Sequence, residues 1–213
     1  MYLKALFMTH HKEESLQVLA DIKSIMDRSS RVLSLSGWSG IWAGLVALLA
    51  TGIAYQKLDN GPFIGARVPT AFINELLILA MLTLVVAVAG AFYFSYRKNK
   101  KQGQVTFNAA ARKMIISMCI PMLAGGWMCG AFLLNEDFAY VVPVMLITYG
   151  LTLINSSKYT ISDIRWLGLF EVLTGGLAFL KPEWQLYFWA FGFGALHIIY
   201  GFIMWNKYDR KGA

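Results

Sequence analysis

Six long apolar runs constrain this chain more than any other feature of its sequence. They cover residues 37–56, 71–96, 114–134, 138–156, 161–180 and 184–206. A helix needs about 20 mostly apolar residues to cross the roughly 30 Å of hydrocarbon in a bilayer. The runs therefore predict an all-α, polytopic integral membrane protein with six transmembrane helices. The fifth run is the least apolar, and its ends are the hardest to place.

The charged residues predict how the chain lies in the membrane. Only 15% of the residues are charged, against roughly 25% in soluble domains. Basic residues cluster in alternate connections, and the opposite connections hold only Lys57, Arg67 and Lys181. By the positive-inside rule, this bias predicts a multi-pass membrane protein with both termini in the cytoplasm. The net charge of +7 then orients the protein and implies no nucleic-acid partner.

The chain is predicted to have three parts. Residues 37–206 form the six-helix bundle, and residues 207–213 form a basic cytoplasmic tail. In the cytoplasmic segment 1–36, the apolar residues are spaced mostly by three and four, which predicts one amphipathic helix. This helix covers the inner end of the bundle or, alternatively, docks a cytoplasmic partner or a second copy of the chain through residues 10–34.

Short motifs recur in the second half of the chain and indicate internal repeats. "MLAGG" at 122–126 matches "VLTGG" at 172–176, and "TYG" at 148–150 matches "IYG" at 199–201. Helices 1 and 2 fit the same pattern more loosely, with Gly90 at the position of the second motif. A two-helix unit returns the chain to its starting side, so the pattern predicts three parallel two-helix repeats. The opposing interpretation is that small residues recur wherever membrane helices pack closely.

One carboxylate lies in the middle of the fifth run. Glu171 has Gly168, Thr174 and Gly175 as helical neighbours at three and four residues. These residues are small or hydroxylated, which is typical of a packed helix face and not of a face turned to lipid. Because a charged residue at a helix centre costs about 2.5–3.5 kcal/mol on insertion scales, we expect Glu171 to point into the bundle.

The predicted partner of Glu171 is His197. Each residue lies nine positions from the predicted inner boundary of its helix, which is a depth of about 13.5 Å at 1.5 Å per residue. His197 shares its helix face with Tyr200, so Glu171, His197, Thr174 and Tyr200 form the candidate midplane polar site. If the two residues do not meet, Tyr149 or Tyr200 is the alternative partner of Glu171.

Three interpretations of this pair remain open. It is a proton-sensitive site on a solute path, a buried polar contact that joins two helices, or a pair whose residues lie at the lipid interface or in another register. The first two bear on function. The corresponding functions are a small-solute or ion permease, possibly proton-linked, and a non-catalytic membrane regulator or assembly factor that docks a partner through its N-terminal helix. The sequence contains no zinc helix, CxxC pair, nucleophile elbow or phosphate loop, and these absences predict a protein that is not an enzyme and has no metal or cofactor.

The spanning region resembles a known architecture. Its stretches "GWSGIWAGLVAL", "AGGWMCGAFLL" and "TGGLAFL" are similar to those of small bacterial inner-membrane proteins and, more loosely, of the HdeD-like family. That resemblance implies six helices built from repeated two-helix units. The cytoplasmic segment departs from the family pattern, and the resemblance implies no activity.

Overall fold

The computed structural model describes residues 17–19, 36–57, 70–101 and 109–210, and these ranges are helical with turns and no strand. The helices are α1 (Gly37–Lys57), α2 (Thr70–Lys101), α3 (Ala109–Leu134), α4 (Val141–Ser156) and α5 (Ile164–Leu180), followed by the composite helix α6. Short 3₁₀ turns, Phe138–Tyr140 and Pro182–Trp184, precede α4 and α6.

Helix α6 changes its winding along its length. It consists of the α-helical segments Gln185–Trp189 and His197–Met204 and the π-helical segments Ala190–Leu196 and Trp205–Asp209. Of the predicted N-terminal helix, the structure describes only residues 17–19, which are helical. The proposed docking segment 10–34 therefore lies almost wholly outside the described residues.

Within the ranges that the structure describes, five helices are long and apolar enough to cross a membrane, in agreement with the predicted membrane protein. They are Gly37–Lys57, Ile73–Lys101, Ala110–Leu134, Phe138–Ser156 and Pro182–Asp209. The predicted run 161–180 is helical only from Ile164, because the chain forms turns before it. Its 17 residues span about 26 Å at 1.5 Å per residue, less than the roughly 30 Å of hydrocarbon. The sixth span therefore stays a prediction.

The order of neighbouring helices in space differs from their order in the chain. Helix α5 packs most extensively against α4, α3 packs on α4, and α1 packs on both α2 and α6. The Ala190–Leu196 segment also contacts α5. The spatial order is therefore α2, α1, α6, α5, α4, α3, with α2 and α3 at the two edges. Most apolar side chains of these edge helices are exposed, as expected of surfaces that face lipid.

The α4–α5 crossing depends on direct contact between two backbones. A Cβ added to Gly150 would lie 2.5 Å from the carbonyl oxygen of Gly168, and a Cβ on Gly168 would lie 2.5 Å from that of Gly150. Seven residues further along α5, a Cβ on Gly175 would lie 2.8 Å from the carbonyl oxygen of Pro143. No side chain fits at any of these positions.

The α1–α6 crossing repeats these contacts in the same register. A Cβ on Gly37 would lie 2.5 Å from the carbonyl oxygen of Gly201, and a Cβ on Gly201 would lie 2.7 Å from that of Gly37. Seven residues further along α1, a Cβ on Gly44 would lie 2.5 Å from the carbonyl oxygen of Gly194. In both crossings, two glycines seven residues apart on one helix therefore lie against two positions seven residues apart on the other, Gly150 and Pro143 in α4 and Gly201 and Gly194 in α6.

Polar contacts join the helices at the end of the bundle that holds Asp209, which we call the Asp209 end. One carboxylate oxygen of Asp209 accepts hydrogen bonds from the Gly37 backbone N–H (2.9 Å) and the Ser36 hydroxyl (3.1 Å). Its other oxygen lies 2.7 Å from the Lys98 ammonium. Asp209 therefore satisfies an N–H at the start of α1, which has no intrahelical partner, and links α6 to α1 and α2.

The turn before α5 is tied to α6 in a similar way. The Asp163 carboxylate accepts hydrogen bonds from the Lys207 ammonium (2.5 Å) and the Tyr208 hydroxyl (3.1 Å). These bonds, above all the one from Lys207, hold the pKa of Asp163 below its usual value. The carboxylate makes no capping hydrogen bond to the start of α5, so its contribution comes from the contacts with α6.

The glycine contacts predict a position-dependent effect of one methyl group. Gly150→Ala should lower the free energy of unfolding by about 1–3 kcal/mol, the usual cost of overpacking, because the methyl group meets a backbone oxygen. Gly176→Ala is the matched control, since nothing lies within 4 Å of a Cβ there. It should leave stability unchanged or raise it by up to about 1 kcal/mol through helix propensity. Unfolding in mixed detergent micelles measures both, and equal effects would contradict the backbone contact.

Asp163 predicts a pH dependence with a defined sign. Because its folded pKa is lowered, the unfolded chain binds the proton more tightly, and the stabilisation is present above the unfolded pKa of about 3.9. It is lost as the pH falls through the folded pKa. The difference in melting temperature between the wild type and Asp163→Asn should therefore be constant from pH 5 to 7 and shrink below about pH 4. A difference that grows on acidification would show that the carboxylate is not stabilised by this contact.

Candidate functional site

Helix α5 places Glu171 at the centre of the described bundle. Its side chain is 0% exposed. The residues one turn away, Leu167, Gly168, Thr174 and Gly175, are buried as well, so this whole face of α5 packs against protein. The small residues around Glu171 in the sequence predict that its side chain points inward.

The π-helical segment of α6 makes room for the carboxyl group. A Cβ on Gly192 would lie 2.6 Å from Oε2 of Glu171, and it would also clash with the Leu146 side chain. Any residue other than glycine would therefore displace the carboxyl group. Short π-helical segments within α-helices occur frequently at functional sites, and here one lies directly against a buried acid.

His197 is held by two hydrogen bonds, neither of them to Glu171. Its Nδ1 lies 3.0 Å from the carbonyl oxygen of Gly192, and its Nε2 lies 2.8 Å from the hydroxyl of Tyr149. A carbonyl oxygen only accepts, so Nδ1 carries the hydrogen. In the neutral ring, Nε2 is then the acceptor and the Tyr149 hydroxyl donates to it. A neutral imidazole is fully satisfied by these two partners.

Glu171 and His197 are in contact but do not form a hydrogen-bonded pair. Oε1 of Glu171 lies 3.3 Å from Nδ1 of His197, which is within the range of an ion pair. However, the hydrogen on Nδ1 is directed at the Gly192 carbonyl, and neither carboxyl oxygen of Glu171 has a hydrogen-bond partner among the described residues. The direction of the N–H bond, and not the distance alone, decides which oxygen accepts its hydrogen. Glu171 is therefore a buried acid whose hydrogen-bonding capacity is unused.

The other two predicted site residues have different neighbours. The Thr174 hydroxyl donates to the carbonyl oxygen of Phe170 in its own helix, at 2.7 Å. Tyr200 packs against the apolar cluster of Leu153, Ile164 and Leu167. Neither residue is hydrogen-bonded to Glu171, so the structure brings together Glu171 and His197 and leaves Thr174 and Tyr200 beside them.

Two residues that complete the site were not predicted as parts of it. The sequence suggests Tyr149 only as an alternative partner of Glu171, whereas its hydroxyl binds His197. The sequence indicates Gly192, one of the paired glycines of "FGFG" at 191–194, only as a position where helices approach closely. Both residues act through contacts between helices, and a single sequence does not encode those contacts in any local pattern.

Aromatic rings continue from this site along α6. The Phe193 ring centroid lies 6.2 Å from that of His197, 5.3 Å from that of Tyr149 and 5.5 Å from that of Trp189. Tyr149 and His197 stack at 5.4 Å. The rings therefore form a continuous column on one side of α6, with Glu171 beside its deepest member.

No family model, curated protein or solved structure matches the chain, so its resemblance to the HdeD-like family stays a prediction. Within the described ranges, no three His, Cys, Asp or Glu side chains are grouped as metal ligands would be. Among the described residues, the site offers one buried carboxyl group without a hydrogen-bond partner beside an imidazole whose two nitrogens both have partners.

The hydrogen bonds predict opposite effects on stability for substitutions of Glu171 and of His197. Glu171→Met keeps the length of the side chain and removes a carboxyl group that lacks a partner, so stability should rise or stay unchanged. His197→Phe keeps a ring but leaves the Tyr149 hydroxyl unpaired, and should lower the free energy of unfolding by about 1–3 kcal/mol. Unfolding of the purified variants in detergent measures both. A loss of equal size in the two variants would instead indicate a mutually dependent pair.

Proposed function

We propose that this chain is a small permease of the bacterial inner membrane in which Glu171 binds and releases a proton during transport of a small solute or ion. The observation that supports this function best is the carboxyl group of Glu171, which is fully buried and has no hydrogen-bond partner among the described residues. Ionisable residues inside a membrane are expensive, and they commonly mark proton relays and solute paths.

A purely structural role accounts less well for this arrangement. A polar group that served only to join two helices would gain stability by forming hydrogen bonds, yet Glu171 forms none while His197 beside it forms two. The packing of α5 against α4 already rests on the contact between Gly150 and Gly168. The carboxyl group therefore adds a desolvation cost without a visible structural gain.

The same geometry suggests how the proton is held. An isolated carboxylate in a dry interior is far costlier than a neutral carboxyl group, so the empty site has Glu171 protonated. Tyr149 and Gly192 occupy both nitrogens of His197, so neither ring nitrogen is left to form a hydrogen bond with Glu171. Glu171 is then the group that releases a proton, and a positively charged or polar solute binds to the carboxylate in place of that proton.

The full architecture is part of this proposal. It has six spans as three two-helix repeats, with both termini in the cytoplasm. The 17 residues of α5 lie within the known range of about 17–25 for spanning helices. The common register of the α4–α5 and α1–α6 crossings supports related units.

Basic residues at the Asp209 end, such as Lys98, Lys158 and Lys207, outnumber those at the end that holds Lys57. By the positive-inside rule, this supports a cytoplasmic Asp209 end.

The alternative function, a regulator or assembly factor that docks a partner through residues 10–34, gains no support from the described residues. The segment that would carry it lies almost entirely outside them. It stays a prediction from sequence alone.

Proton movement in proteoliposomes tests the proposed function. The vesicles contain a pH-sensitive dye, and a potassium gradient with valinomycin drives protons across the membrane. The wild-type protein should carry protons faster than protein-free vesicles, and Glu171→Gln should abolish the difference. Glu75→Gln is the matched control, because Glu75 is exposed and paired with Lys57 at 2.5 Å, and it should retain the flux. Wild-type flux no greater than that of empty vesicles, or flux that persists in Glu171→Gln, would contradict the proposal.

A further inference from the structure

A cavity of about 200 Å³ lies at the end of the bundle that holds Lys57, between α1, α2, α4 and α6. Residues that line it include Ala54, Leu79, Met145, Leu186 and Trp189. It approaches the buried site without including Glu171 or His197. Its position between helices is typical of small-molecule sites in helical bundles.

The wall of the cavity is unsuited to a hydrated ion. Two threonine hydroxyls line it, but Thr51 donates to the carbonyl oxygen of Ala47 and Thr83 to that of Leu79. Gln185 is the remaining polar lining residue. Enclosed apolar cavities of about 150 Å³ bind small apolar molecules such as benzene, and an ion that loses its water in this partly open cavity gains few replacement ligands. The cavity therefore favours a ligand with an apolar body.

The aromatic column leads from this cavity to the buried acid. Trp189 lines the cavity, the Phe193 ring lies 5.5 Å further along the column, and the His197 ring lies 6.2 Å beyond Phe193. Met145 of α4 also lines the cavity, and Tyr149 follows it one turn deeper. Phe193 therefore lies between Trp189 at the cavity wall and His197, which is in contact with Glu171.

The two ends of this column differ in the chemistry they offer. The cavity and the ring faces attract apolar groups and cations, since the face of an aromatic ring is electronegative. Glu171 offers a single negative charge once it releases its proton, and no described side chain is hydrogen-bonded to it. The class of ligand that fits all of these features is a small organic cation whose charge lies within an apolar body.

We infer that the cavity, Phe193 and Glu171 form one binding path for a lipophilic monovalent organic cation. The cation enters the cavity, passes the Phe193 ring and pairs with the Glu171 carboxylate. The carboxyl group gives up its proton as the cation binds, and without the cation it carries protons alone. This inference rests on the proposed function and assigns its substrate class.

Binding of benzyltrimethylammonium tests the inference directly. The purified full-length protein in detergent is dialysed to equilibrium against the radiolabelled cation. Saturable binding is expected for the wild type and for Glu75→Gln, and Glu171→Gln should abolish it. Phe193→Leu, which keeps an apolar side chain but removes the ring, should weaken binding about 2- to 30-fold, the range expected for one cation–π contact. If the Phe193→Leu variant aggregates and cannot be purified as one species, Trp189→Leu at the cavity wall tests the same cation–π contribution to binding.

A neutral molecule of the same shape separates charge recognition from simple partitioning. Neopentylbenzene replaces the ammonium nitrogen by carbon, and at equal concentration it should not displace the labelled cation. Equal displacement, an absence of saturable binding, or binding that persists in Glu171→Gln would each overturn the inference.

The two proposals fail in distinguishable ways. Glu171-dependent proton flux without cation binding would leave the permease intact and reject the substrate class. Glu171-dependent cation binding without proton flux would support the binding path and reject transport.

Discussion

Backbone contact at the glycine crossings is the constraint on which the rest of the structure depends. Lipid tails are as apolar as leucine, so helices in a bilayer gain little from burying apolar side chains and associate through close packing instead. The contacts of Gly150 with Gly168 and of Gly37 with Gly201 bring pairs of backbones together where no side chain fits. They fix the rotation of α5 against α4 and of α6 against α1, and this rotation turns Glu171 inward.

The winding of α6 determines what Glu171 meets there. The π-helical segment places Gly192 against the carboxyl group and its carbonyl oxygen against the His197 ring. Tyr149 of α4 occupies the other ring nitrogen. His197 therefore has its full set of partners, and the acid beside it has none. This asymmetry separates the site from an ordinary buried ion pair, in which the two partners satisfy each other.

The two ends of the described bundle are held together in different ways. At the Asp209 end, the carboxylates of Asp209 and Asp163 join α6 to α1, to α2 and to the turn before α5. At the opposite end, an exposed pair, Lys57 with Glu75, joins α1 to α2, and exposed pairs contribute little to stability. The Tyr140 ring also packs on those of Phe132 and Phe179 at this end. The apolar cavity lies at this second end.

The sequence by itself determined the helices and the inward face of Glu171, because hydropathy and the spacing of small residues are local properties of the chain. It also gave Glu171 and His197 equal depth, since depth in a straight helix follows from residue number. Only the tertiary structure decided that Tyr149 and Gly192 take the hydrogen bonds of His197, and that α5 is helical over 17 residues. Hydrogen-bond partners depend on how α4, α5 and α6 are rotated against one another and on the π-helical winding, and these are set by contacts between residues far apart in the chain.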